Sequence, residues 1–365
     1  MIKVLITEDS PVVRGFLEHV LNSDPDIQVV GTAQNGEEAV NMVAVHKPDV
    51  VTMDIHMPKM DGFEATRKIM ETNPVPVVIV SASWNPEEVD KTFRSMEAGA
   101  VAALEKPRGF GYPDADSSIQ QLVSTVKMMS EVTVVRRWTK TRFQKAEALK
   151  PKKRKEILDL PEVPDMKIVA IGASTGGPMV LQTILSGLMK DFPLPVVIVQ
   201  HIAPGFLPGL ADWLSRTTEI PVHIACDDEK LMPGHAYLAP DAKQMGVNSR
   251  NRVELKNAAP EHSVCPSVSY MFRSVAQNFG RYAIGVICTG MGRDGAMELK
   301  LLRDKGGYTI AQDKTSSIVH GMPGEAIKLD GAIDVLPPKQ IAERLRKLVI
   351  KEKSNLELNS MSIES

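Results

Sequence analysis

Cysteine is scarce in this 365-residue chain: Cys226, Cys265 and Cys288 stand alone and far apart. They cannot form a disulfide framework, and no Cys-x-x-Cys pair supplies the spacing of a zinc site or a redox dithiol. An excess of charge of either sign is also missing. Lys and Arg number 43 against 45 Asp and Glu, a formal net charge of −2, which excludes a protein that wraps nucleic acid through bulk charge. No apolar run approaches the ~18 residues that a membrane helix needs. The N-terminus runs straight into Ile2-Lys3-Val4-Leu5-Ile6 and then into acids, which reads as a first strand and not as a signal peptide. These absences lead to the expectation of a soluble, cytoplasmic protein with no nucleic-acid partner and no membrane insertion. The length suggests two domains.

What is present is an alternation. Short β-branched runs at 3–7, 28–33, 49–54, 76–81 and 100–104 are separated by amphipathic stretches near 11–22, 36–46, 62–72, 86–97 and 115–130. Five strands alternating with five helices imply a parallel, doubly wound sheet covered on both faces, with its functional crevice at the carboxyl ends of the strands. The first domain is assigned to 1–125. A basic stretch from Arg136-Arg137 to Lys150-Pro151-Lys152-Lys153-Arg154-Lys155 follows and reads as part of a solvated linker, 126–165. A second α/β pattern occupies 166–348, with strands at 167–173, 195–200 and 282–288, helices at 177–188 and 294–305, and shorter strands near 222–225, 236–239 and 252–256. One more helix follows Pro337, and 349–365 reads as a polar tail.

In the first domain Glu8-Asp9, Asp54 and Lys106-Pro107 all follow strands, and Ser81 ends another. Carboxylates converging on one crevice repel unless a cation neutralises them, and a hard divalent ion such as Mg2+ is the usual solution. A lysine and a hydroxyl beside them are what transfer of a phosphoryl group onto Asp needs. Taken singly, each residue also fits a helix cap or a turn acid. Together, Glu8-Asp9, the run Met53-Asp54-Ile55-His56-Met57-Pro58-Lys59-Met60-Asp61-Gly62 and Glu105-Lys106-Pro107 resemble a response-regulator receiver domain, a flavodoxin-like fold. The resemblance implies Asp54 as phosphoacceptor, and Glu8, Asp9, Asp54 and the backbone carbonyl of His56 as Mg2+ ligands. It also implies Ser81 as the switch hydroxyl and Lys106 as the contact to the phosphoryl group.

In the second domain Ile171-Gly172-Ala173-Ser174-Thr175-Gly176-Gly177-Pro178 reads as strand, Gly-rich turn and helix start. Ser174 there is open to two readings, a nucleophile or part of a tight turn. Neither nucleotide-binding fingerprint is met, and the G-x-S-x-G elbow is absent. Another strand ends at His201. A third runs into Thr289-Gly290-Met291-Gly292-Arg293-Asp294-Gly295, where Asp294 alone reads most simply as the N-cap of the next helix. If the three loops share one sheet edge, His201 can take the Ser174 proton and Asp294 can orient the imidazole.

These runs, with Tyr237-Leu238-Ala239-Pro240, Pro266-Ser267-Val268 and Gly321-Met322-Pro323, resemble the catalytic domain of the chemotaxis protein-glutamate methylesterase (CheB) family. The resemblance implies a second doubly wound α/β domain with Ser174 as nucleophile, His201 as general base and acid, and Asp294 as its orienter. The backbone amides of Thr175 and Met291 would be the oxyanion donors. It further implies hydrolysis of glutamate γ-methyl esters on methyl-accepting chemoreceptors with release of methanol, deamidation of glutamines, a histidine kinase as phosphodonor, and no cofactor for the esterase. Asp241-Ala242-Lys243-Gln244-Met245, Cys265 and Ser269 depart from the family pattern, at positions expected around the cleft and not in the triad. The competing reading is a response regulator of another pathway, or one whose second domain only binds a partner.

Overall fold

The computed structural model describes residues 1–81, 86–107, 115–132, 134 and 166–361, apart from the side chains of 86–91 and 350–361. The basic residues from Arg136 to Lys155 lie outside the described residues. The chain divides into two compact units, Met1–Leu158 and Asp159–Ser365.

In the first unit, β1 (Ile2–Thr7), α1 (Pro11–Asn22), β2 (Ile27–Ala33), α2 (Gly36–His46), β3 (Val50–Met53), α3 (Gly62–Thr72), β4 (Val77–Ser81), α4 (Pro86–Ala98), β5 (Ala102–Glu105) and α5 (Ala115–Ser130) alternate. The strands form one sheet of order β2-β1-β3-β4-β5, every pair parallel. Strands β3 and β4 are buried along their whole length, as expected of a sheet covered on both faces. Side-chain caps start α1, α2 and α3. Ser10 accepts from Val13 N ahead of Pro11, Asp61 accepts from Glu64 N at 2.8 Å, and Asn35 Oδ1 accepts from Glu38 N while the Glu38 carboxylate accepts from Gln34 N. The connection from β1 runs to β2 on one side of the sheet, and the rest of the chain builds toward β5 on the other. The topological switch point, where such sheets open a crevice, therefore lies between β1 and β3.

The second unit contains β6 (Ile168–Ala173), α6 (Gly177–Ser186), β7 (Val196–Gln200), α7 (Leu207–Thr217), β8 (Val222–Ile224), β9 (Ala236–Leu238), β10 (Gln244–Val247), β11 (Val253–Lys256), α8 (Val268–Asn278), β12 (Ala283–Ile287), α9 (Ala296–Asp304), β13 (Tyr308–Gln312), α10 (Met322–Lys328), β14 (Asp334–Leu336) and α11 (Pro338–Met361). Seven strands pair in the order β14-β13-β12-β6-β7-β9-β8, again all parallel. Its switch point falls between β6 and β12. Helix α8 packs Val268, Met271, Phe272 and Val275 into the core on one face of this sheet.

Three features differ from the sequence expectation. Strands β10, β13 and β14 and helices α7, α8 and α10 add to the expected elements, and β10 pairs with β11 as an antiparallel hairpin outside the main sheet. Helix α11 continues to Met361 through residues expected as a polar tail, since neither Gly nor Pro interrupts it after Pro338. Asp294 is not the cap of α9: Gly295 holds that position, without a side-chain cap.

Candidate active site

In the first unit the carboxyl ends of β1 and β3 lie side by side. Asp54 N donates to Thr7 O at 2.9 Å, so Asp54 stands beside the Glu8-Asp9 turn. Arg14, not singled out from the sequence, anchors that turn by donating to the carbonyls of Glu8 (2.7 Å) and Asp9 (3.2 Å). Ligand oxygens of Glu8, Asp9 and Asp54 lie within 4.8 Å of one another. Lys106 Nζ reaches the cluster from the end of β5, 2.8 Å from Glu8 Oε2 and 3.0 Å from Asp54 Oδ2. Ser81 is buried at the end of β4, and its carbonyl accepts from Lys106 N at 2.8 Å. His56 follows β3 on an exposed turn. Gly62 closes that loop where no side chain fits, since a Cβ there would sit 2.1 Å from Asp54 O.

Burial raises the Glu8 and Asp54 carboxyls above their ordinary values, and the nearby lysine only partly offsets it. Burial works the other way on Lys106, but the two carboxylates outweigh it and hold the ammonium charged. Glu8 Oε2 has this ion-pair contact yet no aligned hydrogen bond. Clustered carboxylate oxygens, one of them buried without a hydrogen bond, suit a hard divalent cation.

In the second unit Ser174 follows β6 and His201 follows its neighbour β7. Ser174 N donates to Thr289 O at 3.0 Å, which ties the Ser174 turn to the loop after β12. Thr289 Oγ1 returns a bond to Thr175 O at 2.9 Å. Gly290 passes so close that a Cβ on it would lie 2.6 Å from Ser174 Cβ. The same loop carries Asp294, and His201 Nε2 lies 3.0 Å from Asp294 Oδ2. That contact is an ion-pair approach whose N–H is not aligned for a hydrogen bond. It leaves Nδ1 as the imidazole nitrogen available to a nucleophile. Ser174 Oγ makes no hydrogen bond among the described residues, and neither do the backbone N–H groups of Thr175 and Met291.

The setting of Asp294 was not legible in the sequence. Its carboxylate sits at the N-terminus of α8: Oδ1 accepts from Ser267 Oγ (2.9 Å) and Ser269 N (2.9 Å), and Oδ2 from Val268 N (2.7 Å). Ser269 Oγ in turn accepts from Gly295 N at 2.8 Å. The approach of α8 depends on two bare backbones, because a Cβ on Gly172 or on Gly295 would each lie 2.3 Å from Val268 Cγ1. Burial alone would push the Asp294 carboxyl up, yet His201 and Ser269 outweigh it and hold the pKa at about 2. Ser269, expected at the cleft margin, is thus a direct partner of Asp294. Its signal in the sequence was the N-cap pattern at Ser267 ahead of an apolar run.

Residues 169–345 match the CheB methylesterase family, and residues 4–111 match the response regulator receiver domain. A protein-glutamate methylesterase/protein-glutamine glutaminase of Nitrosospira multiformis is 52% identical over 349 residues, 96% of this chain and 97% of its own length. One from Geobacter metallireducens is 52% identical over 360 residues, 96% of this chain and 100% of its own. The crystal structure of the Thermotoga maritima CheB methylesterase catalytic domain shares 40% identity and covers 50% of this chain and 99% of that one, with a TM-score of 0.49. Among the described residues no helix is long and apolar enough to cross a membrane. With half its residues shared along nearly its full length with such relatives, the chain belongs to the family of protein-glutamate methylesterase/protein-glutamine glutaminases that carry a receiver domain.

Proposed function

We propose that this chain is a serine esterase, regulated by phosphorylation, that hydrolyses γ-methyl esters of glutamate side chains on methyl-accepting chemoreceptors and deamidates glutamines there. The observation that carries the reading is the placement of Ser174, His201 and Asp294 on the loops after β6, β7 and β12, with His201 3.0 Å from a carboxylate held ionised. In this reading His201 Nδ1 takes the proton from Ser174 Oγ, and Oγ forms a bond to the ester carbonyl carbon. The carbonyl oxygen, now an anion, is met by the N–H groups of Thr175 and Met291. Collapse breaks the bond to the methoxy oxygen, which receives the proton from His201 and leaves as methanol. Water, deprotonated by the same imidazole, then cleaves the acyl-enzyme to free glutamate and restore Ser174. With glutamine the leaving group is ammonia.

The acidic pocket supplies the regulation. Asp54 is the phosphoacceptor: its carboxylate oxygen bonds to phosphorus as the bond to the nitrogen of a phosphohistidine on the kinase breaks. Glu8, Asp9, Asp54 and the His56 carbonyl would hold Mg2+, which when bound neutralises phosphoryl oxygens. Lys106 moves its ion pairs to the phosphoryl group, and Ser81 is the hydroxyl that follows it. To move the chain from mostly inactive to mostly active, phosphorylation must favour the active state by about 5 kcal/mol. The test is methanol release from methylated receptor with and without a phosphodonor. Loss in Ser174→Ala and loss of stimulation in Asp54→Ala are expected. Full turnover in the first, or undiminished stimulation in the second, would contradict the corresponding half.

A further inference from the structure

Gln200 is the last residue of β7 and pairs in register with Ala173, the last residue of β6. Its side chain is almost fully buried, at 4% exposure. Its amide nitrogen donates twice, to Ser174 O at 2.8 Å and to His201 O at 2.8 Å. One –NH2 group thus bridges the backbone of the nucleophile and the backbone of the base. The opposite amide orientation would point the oxygen at two carbonyl oxygens, so the hydrogen-bond pattern itself fixes which end is nitrogen.

The oxygen end is equally informative. Gln200 Oε1 is buried with no hydrogen-bond partner, a condition that costs free energy and that an apolar side chain of similar volume would avoid. Oε1 also occupies the space where residue 177 would carry a side chain, since a Cβ on Gly177 would lie only 1.9 Å from it. The amide is therefore retained for its nitrogen, and the first residue of α6 is bare so that the amide fits. Ser174 O accepts in addition from Gly177 N at 2.8 Å, and His201 N donates to Ala173 O at 2.9 Å. These bonds make the Ser174 turn, the start of α6 and the His201 backbone one hydrogen-bonded unit centred on Gln200.

We infer that Gln200 is a positioning residue for the hydrolysis: its two hydrogen bonds set the spacing between Ser174 Oγ and the His201 imidazole. The inference rests on the serine-esterase reading given above. Misplacing a reacting pair by about an ångström is enough to lower turnover about a hundredfold, so Gln200 acts on kcat without touching substrate.

The experiment uses the full chain with methyl-esterified receptor as substrate and a fluorophosphonate probe for Ser174. Gln200→Met keeps the volume and removes both donors. It should lower kcat about tenfold to a hundredfold, leave KM within about threefold, and slow fluorophosphonate labelling in proportion. Gly177→Ala reaches the same bonds from the other side, by displacing the amide, and gives the same signature. It serves also if Gln200→Met does not fold, as judged by a cooperative thermal transition. The double variant should be no worse than the more damaged single one, because both remove one set of bonds. A folded Gln200→Met with kcat within threefold of wild type, a loss confined to KM, or additive losses in the double variant would overturn the inference. Ser174→Ala, measured alongside, separates the two readings. Retained turnover there sinks the serine-esterase reading itself, whereas abolished turnover there beside an undiminished Gln200→Met sinks only the role of Gln200.

Discussion

Asp294→Asn perturbs the proposed catalytic unit with almost no change in shape, and its consequences can be worked from the hydrogen bonds. The wild-type carboxylate accepts from Ser267 Oγ, Val268 N and Ser269 N and lies 3.0 Å from His201 Nε2. An asparagine can offer an oxygen on one side only. If the oxygen takes the Oδ2 place, its –NH2 meets the Ser269 N–H; if it takes the Oδ1 place, the –NH2 meets the Val268 N–H and His201. Either orientation sets donor against donor. In the second, His201 must also accept at Nε2, which places its proton on Nδ1 and removes the base that Ser174 needs. The carboxyl sits at about 2 against an ordinary 3.8, and that interval corresponds to about 2 to 3 kcal/mol of stabilisation. Because the folded-state value is depressed, the contribution is complete above 3.8 and is lost as pH falls toward about 2. Urea unfolding should therefore show Asp294→Asn less stable than wild type by about 2 to 3 kcal/mol at pH 7, with the gap closing as the pH is taken below 4. Turnover at pH 7 should fall by about a thousandfold or more. A gap that does not shrink on acidification would refute the claim that His201 and the α8 N-terminus hold Asp294 ionised. Turnover within tenfold of wild type would refute its role in orienting His201.

The remaining predictions concern the two pockets. Gly290→Ala places a methyl 2.6 Å from Ser174 Cβ and 2.4 Å from Met322 Sδ; methionine can yield but the serine turn cannot, so turnover should drop while receiver phosphorylation proceeds as in wild type. Asp54→Asn should raise the thermal midpoint of the receiver unit at pH 7. Its buried carboxyl has a raised folded-state pKa, so the ionised form is destabilising there and removing its charge relieves the cluster. Lys106→Ala should do the opposite, because Glu8 and Asp54 lose the cation that partly neutralises them. Millimolar Mg2+ should raise the wild-type receiver midpoint by mass action, and Asp54→Asn should weaken that response. An unchanged midpoint with Mg2+ would contradict the assignment of Glu8, Asp9 and Asp54 as its ligands.

The first unit was legible almost throughout, because β1 to β4 are short β-branched runs and α1, α2 and α3 start at side-chain caps, and local pattern suffices for such a unit. In the second unit local pattern failed where a strand is short or a residue's role is set from far along the chain. Tyr308–Gln312 is a strand that β12 and β14 flank; its local signal is only Tyr-Thr-Ile after Gly306-Gly307. Asp294 looked like a cap for α9 and instead caps α8, whose N-terminus lies more than twenty residues earlier in the chain. Ser269 looked marginal because its partner is reached only when Val268 packs onto Gly172 and Gly295. The placement of Ser174, His201 and Asp294 on one sheet edge was readable, since each follows a strand in a parallel sheet and strand ends at a switch point gather on one edge.

The central claim is that Ser174 carries the acyl group. Quenching the reaction of the phosphorylated full chain with methyl-esterified receptor, digesting it and analysing it by mass spectrometry tests this most directly. The account predicts a receptor glutamyl peptide esterified to Ser174, absent in Ser174→Ala, with methanol release lost in parallel. Methanol release that continues in Ser174→Ala, or a glutamyl adduct on any other residue, would contradict it.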